Sequence, residues 1–144
     1  MAYTSVLCAL YVGILVLSPE VAYLCFGEQF ILTCSTNEMF LRWGIAISQR
    51  SDTRLVSSIG TAREVEPLVF NSTTFYISRT SDDAALPLIS TLLIDNVTNS
   101  INRTVVNCSE ITEDGETRTL ATSIHIIGIG VVGCITWQQL YTFV

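Results

Sequence analysis

Apolar and polar residues alternate with a period of two through most of the middle of the chain, the pattern of half-buried β-strands. In residues 30–34 and 41–45 the alternation places Cys34 and Trp43 on the apolar side of two successive predicted strands. A third alternating stretch runs from Leu92 to Ser109 and ends beside Cys108. The residues predicted to point into a common core are Cys34, Trp43, Leu92, Ile94, Val106 and Cys108.

The two last predicted strands are joined by a tight hairpin. Asp114-Gly115 separates two alternating runs, and glycine supplies the positive φ that such a turn requires. Folding about this turn sets Cys108 opposite roughly Leu120 and extends the last strand to about Ile126. Residues 68–70, 73–77 and 86–94 add further predicted strands, whereas residues 48–66 hold few strand signals. The chain is therefore predicted to be all-β, with one core.

The apolar positions and their spacing also resemble those of a known family. The matching residues are Gly27-Glu28, Phe30-Ile31-Leu32-Thr33-Cys34, Trp43, Leu92, Ile94, Val97, Asn102 and Cys108. This set resembles a single immunoglobulin-superfamily domain of variable or intermediate type, over roughly residues 21–127. Val106 stands where the family usually has tyrosine, and Asn102 stands where an aspartate is common. The resemblance therefore comes with the expectation that the hydrogen-bonded tyrosine corner is missing.

The resemblance implies a two-sheet antiparallel Ig-like β-sandwich with Greek-key connections. It also implies that Cys34 and Cys108 form a disulfide between the sheets and that Trp43 packs on this bridge. In the simple entropic account, a bridge that closes a loop of about 75 residues stabilises the fold by about 4 to 5 kcal/mol. For a small domain, this is a large share of the free energy of unfolding.

Both ends of the chain are apolar and need a separate interpretation. The run from Val6 to Leu17 fits the hydrophobic region of a signal peptide, so residues 1–22 are assigned to a signal and residues 23–127 to the Ig-like domain. The alternative is that this run supplies a hydrophobic first strand. Residues 128–144 form a hydrophobic tail that is expected to attach the chain to a membrane as a transmembrane helix. A secreted domain with such a tail, or a truncated reading frame, remains an alternative.

Three cysteines lie outside the expected bridge. Cys8 falls in the predicted signal and Cys134 in the tail, which leaves Cys25 as the odd thiol of the domain. Cys25 is expected to be a small buried residue of the first strand. The alternative is a thiol that takes a partner.

Charge and composition narrow the classes of function. The net charge is −6, lysine is absent and the seven arginines are scattered, so no basic surface for nucleic acid is expected. With one histidine, His125, and no cysteine pair at metal-binding spacing, the chain offers no catalytic triad or metal cluster. Neither an enzyme activity nor a cofactor is predicted.

Two sets of polar residues remain as candidate sites. Four Asn-X-Ser/Thr triplets predict N-glycosylation at Asn71, Asn96, Asn102 and Asn107, and strand alternation turns Asn107 towards an outer sheet face, where a glycan would block partner binding. Acidic residues crowd the last hairpin, with one more in a loop at the same end; these candidate partner-loop residues are Glu38, Glu110, Glu113, Asp114 and Glu116. They indicate a calcium site, a site for a basic partner, or simply a solvated loop.

Taken together, these features predict an extracellular recognition or adhesion module at the cell surface or in secreted form. It would bind an unidentified protein partner without catalysis. The alternative is a structural glycoprotein segment that spaces or shields a surface and has no specific ligand.

Overall fold

The computed structural model describes residues 15–47, 53–82 and 86–127. Ten strands and one 3-10 turn, Asn99–Ile101, make up the regular structure of these residues, with no α-helix among them. The strands are β1 (Val16–Ser18), β2 (Val21–Leu24), β3 (Phe30–Thr36), β4 (Leu41–Ile47), β5 (Thr53–Ile59), β6 (Leu68–Phe70), β7 (Thr73–Arg79), β8 (Leu88–Ile94), β9 (Thr104–Ile111) and β10 (Thr117–Ile126). The all-β prediction is confirmed.

The strands form two five-stranded sheets. The first sheet has the order β1-β3-β8-β7-β6 and the second has the order β2-β10-β9-β4-β5. All neighbouring strands are antiparallel except β2 and β10, which run parallel. In the central strands of both sheets, inward residues alternate with outward ones, so the apolar side chains of the two sheets meet in one core.

The core is centred on a disulfide between the sheets. Cys34 of β3 bonds to Cys108 of β9 with an S–S distance of 2.05 Å, which confirms the predicted bridge. Trp43 of β4 is fully buried, and its Nε1 donates a hydrogen bond to Ser90 Oγ at 2.9 Å. The Ser90 hydroxyl in turn donates to the Ser78 carbonyl oxygen at 2.7 Å, so the one polar atom of the indole is satisfied inside the core. The predicted core residues Leu92, Ile94 and Val106 are also fully buried.

The last hairpin has the predicted register. Gly115 adopts φ +81° in the turn, and Leu120 lies opposite Cys108. Strand β10 ends at Ile126, where the prediction placed its end. This register fixes which side chains of β9 point inward, including one carboxylate that lies beneath the loops.

The first strand, β1, and the first half of β2 are contributed by residues that the sequence analysis assigned to the end of the signal. Strand β1 pairs with β3 in the first sheet, and after Pro19 the chain crosses to the second sheet as β2. Leu15 and Leu17 are buried, and Thr122 Oγ1 donates to the Pro19 carbonyl oxygen at 2.5 Å. Removal of the predicted signal, residues 1–22, would therefore take β1 and the first half of β2 out of the sandwich.

Cys25 differs from the expectation. It follows β2, is half-buried and is disulfide-bonded. Since the other two cysteines among the described residues bond to each other, the partner of Cys25 lies outside those residues. The interpretation of Cys25 as an unpaired buried residue is wrong, because a cysteine at the end of an edge strand remains accessible to a second thiol.

Two predictions concern segments that the structure does not describe. Most of the predicted signal, residues 1–14, and the whole tail, residues 128–144, lie outside the described residues. Within the described ranges, no helix is long and apolar enough to cross a membrane.

Candidate functional site

One end of the sandwich, here called the loop end, is formed by the β3–β4 connection, the end of β5 and the β9–β10 hairpin. Strand β3 runs towards this end from Phe30 to Thr36, and β9 runs towards it from Thr104 to Ile111. The β3–β4 connection is only four residues long, so it cannot fold over its own strands. The space between it and the last hairpin therefore stays open as a cleft.

The cleft has a volume of about 450 Å³, which is within the range of ligand pockets. Its apolar lining includes Met39 and Phe40 from the β3–β4 connection and Ile111 from the end of β9. These three side chains are 67%, 63% and 51% exposed. Single exposed apolar residues are ordinary, but three that converge on one concave surface are typical of an interaction site.

The ring of Phe40 is positioned by Gly60 at the end of β5. A Cβ atom added at Gly60 would lie 2.7 Å from Cδ1 and Cε1 of Phe40, closer than two carbon atoms can approach. The absence of a side chain therefore lets the ring lie directly over the β5 backbone. The Gly60 carbonyl oxygen also accepts a hydrogen bond from Arg79 Nη1 at 2.6 Å, which holds this backbone in place.

Beneath the cleft lies a buried carboxylate, Glu110. It is 2% exposed, and its Oε2 accepts a hydrogen bond from the hydroxyl of Thr36. Thr36 Oγ1 in turn accepts from the backbone N–H of Glu38 at 3.0 Å, so the carboxylate is connected to the β3–β4 connection. Glu110 Oε1 lies 3.6 Å from Nη1 of Arg118, which is 53% exposed.

The five acidic residues that were predicted to form a partner site therefore occupy three different environments. Glu38 and Glu113 line the cleft, whereas Asp114 and Glu116 are exposed in the hairpin beyond it. Glu110 does not share the solvated position expected for this set, because it follows Cys108 by two residues and points inward with it. It supports the loop end from below and does not reach the surface.

One cation, Arg42, lies opposite Ser109, which precedes Ile111 by two residues and Glu113 by four along the lining of the cleft. Arg42 of β4 points to the outer face of the second sheet, where its cross-strand neighbours are Ser58 of β5 and Ser109 of β9. All three residues line the cleft. The Arg42 side chain makes no hydrogen bond or ion pair with any residue that the structure describes.

Three of the four glycosylation triplets lie at the other end of the sandwich, here called the sequon end. The Asn71 side-chain Nδ2 donates to the Ser100 carbonyl oxygen at 3.2 Å, which joins the β6–β7 turn to the 3-10 turn. Asn102 Oδ1 accepts from the backbone N–H of Ile126 at 2.9 Å in the corner before β9. Asn96 is exposed just after β8, at the same end.

Asn107 is the exception, since it lies in the middle of β9. It is half-buried on the outer face of the second sheet, opposite Gly44 on one side and Ala121 on the other. Gly44 has no side chain and Ala121 has only a methyl group, so Asn107 is the large side chain of this cross-strand row. A glycan here would stand directly above the centre of the sheet.

The remaining candidates from the sequence are the metal-ligand types and the one histidine. Within residues 15–47, 53–82 and 86–127, no three His, Cys, Asp or Glu residues lie close enough together to hold a metal ion. His125 stacks on Tyr23 with ring centroids 5.2 Å apart and an interplanar angle of 23°. This pair lies on the outer face where β2 meets β10, away from the cleft.

Sequence reasoning missed the apolar and cationic parts of the cleft. Met39 and Phe40 stand at the end of the β3–β4 connection, and two apolar residues directly before a strand carry no local signal of a site. Ile111 and Arg42 belong to alternating strands and carry no local signal of a site. Their convergence depends on strand pairing across some 70 positions of sequence.

Comparison of the chain with models of known protein families finds no match, and neither does a search of curated proteins. The function is therefore inferred from the placement and chemistry of the residues themselves.

Proposed function

We propose that the protein is an immunoglobulin-like recognition module, displayed at the cell surface or secreted, that binds a protein partner through the cleft at the loop end without catalysis. The strand order supports the Ig-like assignment. One sheet contains β3, β8 and β7, and the other contains β10, β9, β4 and β5. The first stretch of the chain contributes β1 to one sheet and β2 to the other, as the divided first strand of variable-type domains does. This order follows the Greek-key connections of the family, with the disulfide between β3 and β9.

The observation that carries the recognition role is the cleft itself. Its exposed apolar side chains are mounted on a disulfide-bonded sandwich, so little conformational entropy is lost when a partner covers them. Full burial of an aromatic side chain such as Phe40 contributes about 1.5 to 3 kcal/mol. Protein interfaces concentrate their binding energy in a few anchors of this kind.

The distribution of glycosylation triplets favours the same end. Glycans at Asn71, Asn96 and Asn102 would cover the sequon end and leave the loop end accessible. A module that recognises another protein needs a surface that stays accessible, and these three triplets leave the loop end open; of the four, only Asn107 lies near the cleft, two residues before Ser109.

The test is a binding screen with the multimerised, secreted full chain against an array of extracellular proteins. A specific partner is expected, and Phe40→Ser is expected to weaken its binding by about tenfold or more, since 1.4 kcal/mol corresponds to tenfold. The matched control is Val69→Ser on β6, because Val69 is 62% exposed and Phe40 is 63% exposed. Equal effects of the two substitutions would contradict recognition through the cleft.

A second candidate is a structural glycoprotein segment that shields or spaces a surface. Four glycosylation triplets in one small domain favour it. In that case the array yields no partner, and removal of the four triplets together changes solubility and protease resistance only.

A further inference from the structure

Resting on the proposed recognition through the cleft, we infer that the partner segment carries a large apolar side chain between a carboxylate and a basic side chain, and that Arg42 selects the carboxylate. Along β9 and the hairpin, the lining of the cleft passes from Ser109, which lies opposite Arg42, to the apolar Ile111 and then to the acidic Glu113, so the two charges flank an apolar middle. A ligand of uniform charge would meet repulsion on one of the two sides.

The cationic side is Arg42 with the hydroxyl of Ser58 next to it on β5; its neighbour on β9 is Ser109, whose hydroxyl pairs with Thr119 Oγ1 at 2.9 Å. A guanidinium group pairs with a carboxylate through two parallel hydrogen bonds, and the neighbouring Ser58 hydroxyl adds a further donor. Because Arg42 is exposed and makes no ion pair with a described residue, no internal salt bridge among those residues must break before a ligand binds.

The anionic side is formed by Glu38 and Glu113, with Asp114 and Glu116 just beyond them in the hairpin. None of these four makes an ion pair among the residues that the structure describes. A lysine or arginine of the partner would be attracted to this side. The buried acid, Glu110, faces Thr36 and Arg118 and leaves the charge of Arg42 available.

Between the two charged sides lie Met39, Phe40 and Ile111. A cleft of about 450 Å³ has room for one large apolar side chain with part of its backbone. Burial of this side chain would exclude water from the flanking charges, and pairing of charges is stronger in a partly dry site. Affinity would then come mainly from the apolar contact, and selectivity from the two charges.

The test is a selection of short random peptides displayed on phage against the secreted full chain. We expect enrichment of peptides in which an acidic and a basic residue flank a large apolar residue. Arg42→Glu is expected to lose these peptides and to enrich peptides with a basic residue in place of the acidic one. The matched control is Arg103→Glu, which makes the same charge change at the sequon end.

A synthetic copy of an enriched peptide makes the test quantitative. Arg42→Glu is expected to weaken its binding by about tenfold or more, and replacing the peptide's acidic residue by lysine is expected to restore binding to Arg42→Glu. Enriched peptides without a carboxylate, no enrichment at all, or an equal effect of Arg103→Glu would each overturn the inference. The proposed function would still stand if the protein array gave a partner sensitive to Phe40→Ser.

Discussion

The buried carboxylate beneath the cleft gives the sharpest prediction about how the loop end is held. Substitution of Thr36 by valine keeps the shape of the side chain but removes the hydroxyl that donates to Glu110 Oε2. The same hydroxyl accepts from the N–H of Glu38, so both hydrogen bonds are lost together. Thr36 and Glu110 are 1% and 2% exposed, so water cannot readily replace the lost partner.

The expected cost follows from these two contacts. A hydrogen bond to a charged group contributes about 1.5 to 3 kcal/mol and a neutral one about 1 kcal/mol. The additional apolar contact of valine offsets part of the stability lost with the two hydrogen bonds. Thr36→Val is therefore expected to lower the free energy of unfolding by about 3 kcal/mol. In a Glu110→Gln background, where the acceptor is neutral, the same substitution is expected to cost about 1.5 kcal/mol.

The assay is a double-mutant cycle from urea unfolding followed by circular dichroism. The coupling between Thr36 and Glu110 is expected to be about 1.5 kcal/mol. Arg118→Ala is the control. The Arg118 side chain is half exposed and its Nη1 lies 3.6 Å from Glu110 Oε1, so this ion pair is expected to contribute about 1 kcal/mol or less to stability. Additive effects of Thr36→Val and Glu110→Gln, or an Arg118→Ala cost as large as that of Thr36→Val, would refute this account.

Three further predictions concern other parts of the chain. Compared with a chain beginning at residue 15, one beginning at residue 23 loses Leu15, Leu17, all of β1 and the first two residues of β2, including the buried Ala22. Its free energy of unfolding is expected to fall by about 3 kcal/mol or more, measured by urea unfolding. Gly60→Ala is expected to displace the ring of Phe40 and to weaken partner binding in the array assay, with a loss of no more than about 1 kcal/mol in stability, because the ring can swing towards solvent. Non-reducing peptide mapping is expected to find Cys25 in a disulfide, and a free Cys25 thiol would contradict this. If the predicted signal is removed together with Cys8, the expected partner is the tail cysteine, Cys134.

The alternating pattern of the strands was enough to predict the core of the sandwich, but not the features at its two ends. Period-two alternation is set by backbone geometry alone, so the inward side of Cys34, Trp43 and Cys108 could be read from their neighbours. The register of the last hairpin followed from one Asp-Gly turn, which placed Leu120 opposite Cys108. Both features depend on residues close in sequence.

The missed features depend on contacts between distant residues or on a competing pattern. The inward position of Glu110 could have been found by counting two residues from Cys108, but its place in a cluster of acids obscured this. Strand β1 lies in an apolar run that also fits a signal peptide, and hydropathy alone cannot separate the two. Arg42 and Ile111 meet in the cleft only because β4 pairs with β9.

The two ends of the sandwich differ in their surroundings, since the tail leaves from the sequon end and the cleft lies at the loop end. Asn107 bears on access to the cleft. The last described residue, Ile127, is held at the sequon end by a hydrogen bond from its N–H to the Leu24 carbonyl oxygen at 2.9 Å. If the tail is an anchor, the loop end with its cleft therefore points away from the attachment. Asn107 lies two residues before Ser109 on the same outer face, so a glycan there would stand beside the Arg42 side of the cleft. Occupancy of Asn107 would then restrict the cleft to partners that approach over the Glu113 side, and loss of that glycan would widen the range of partners without any change in the cleft itself.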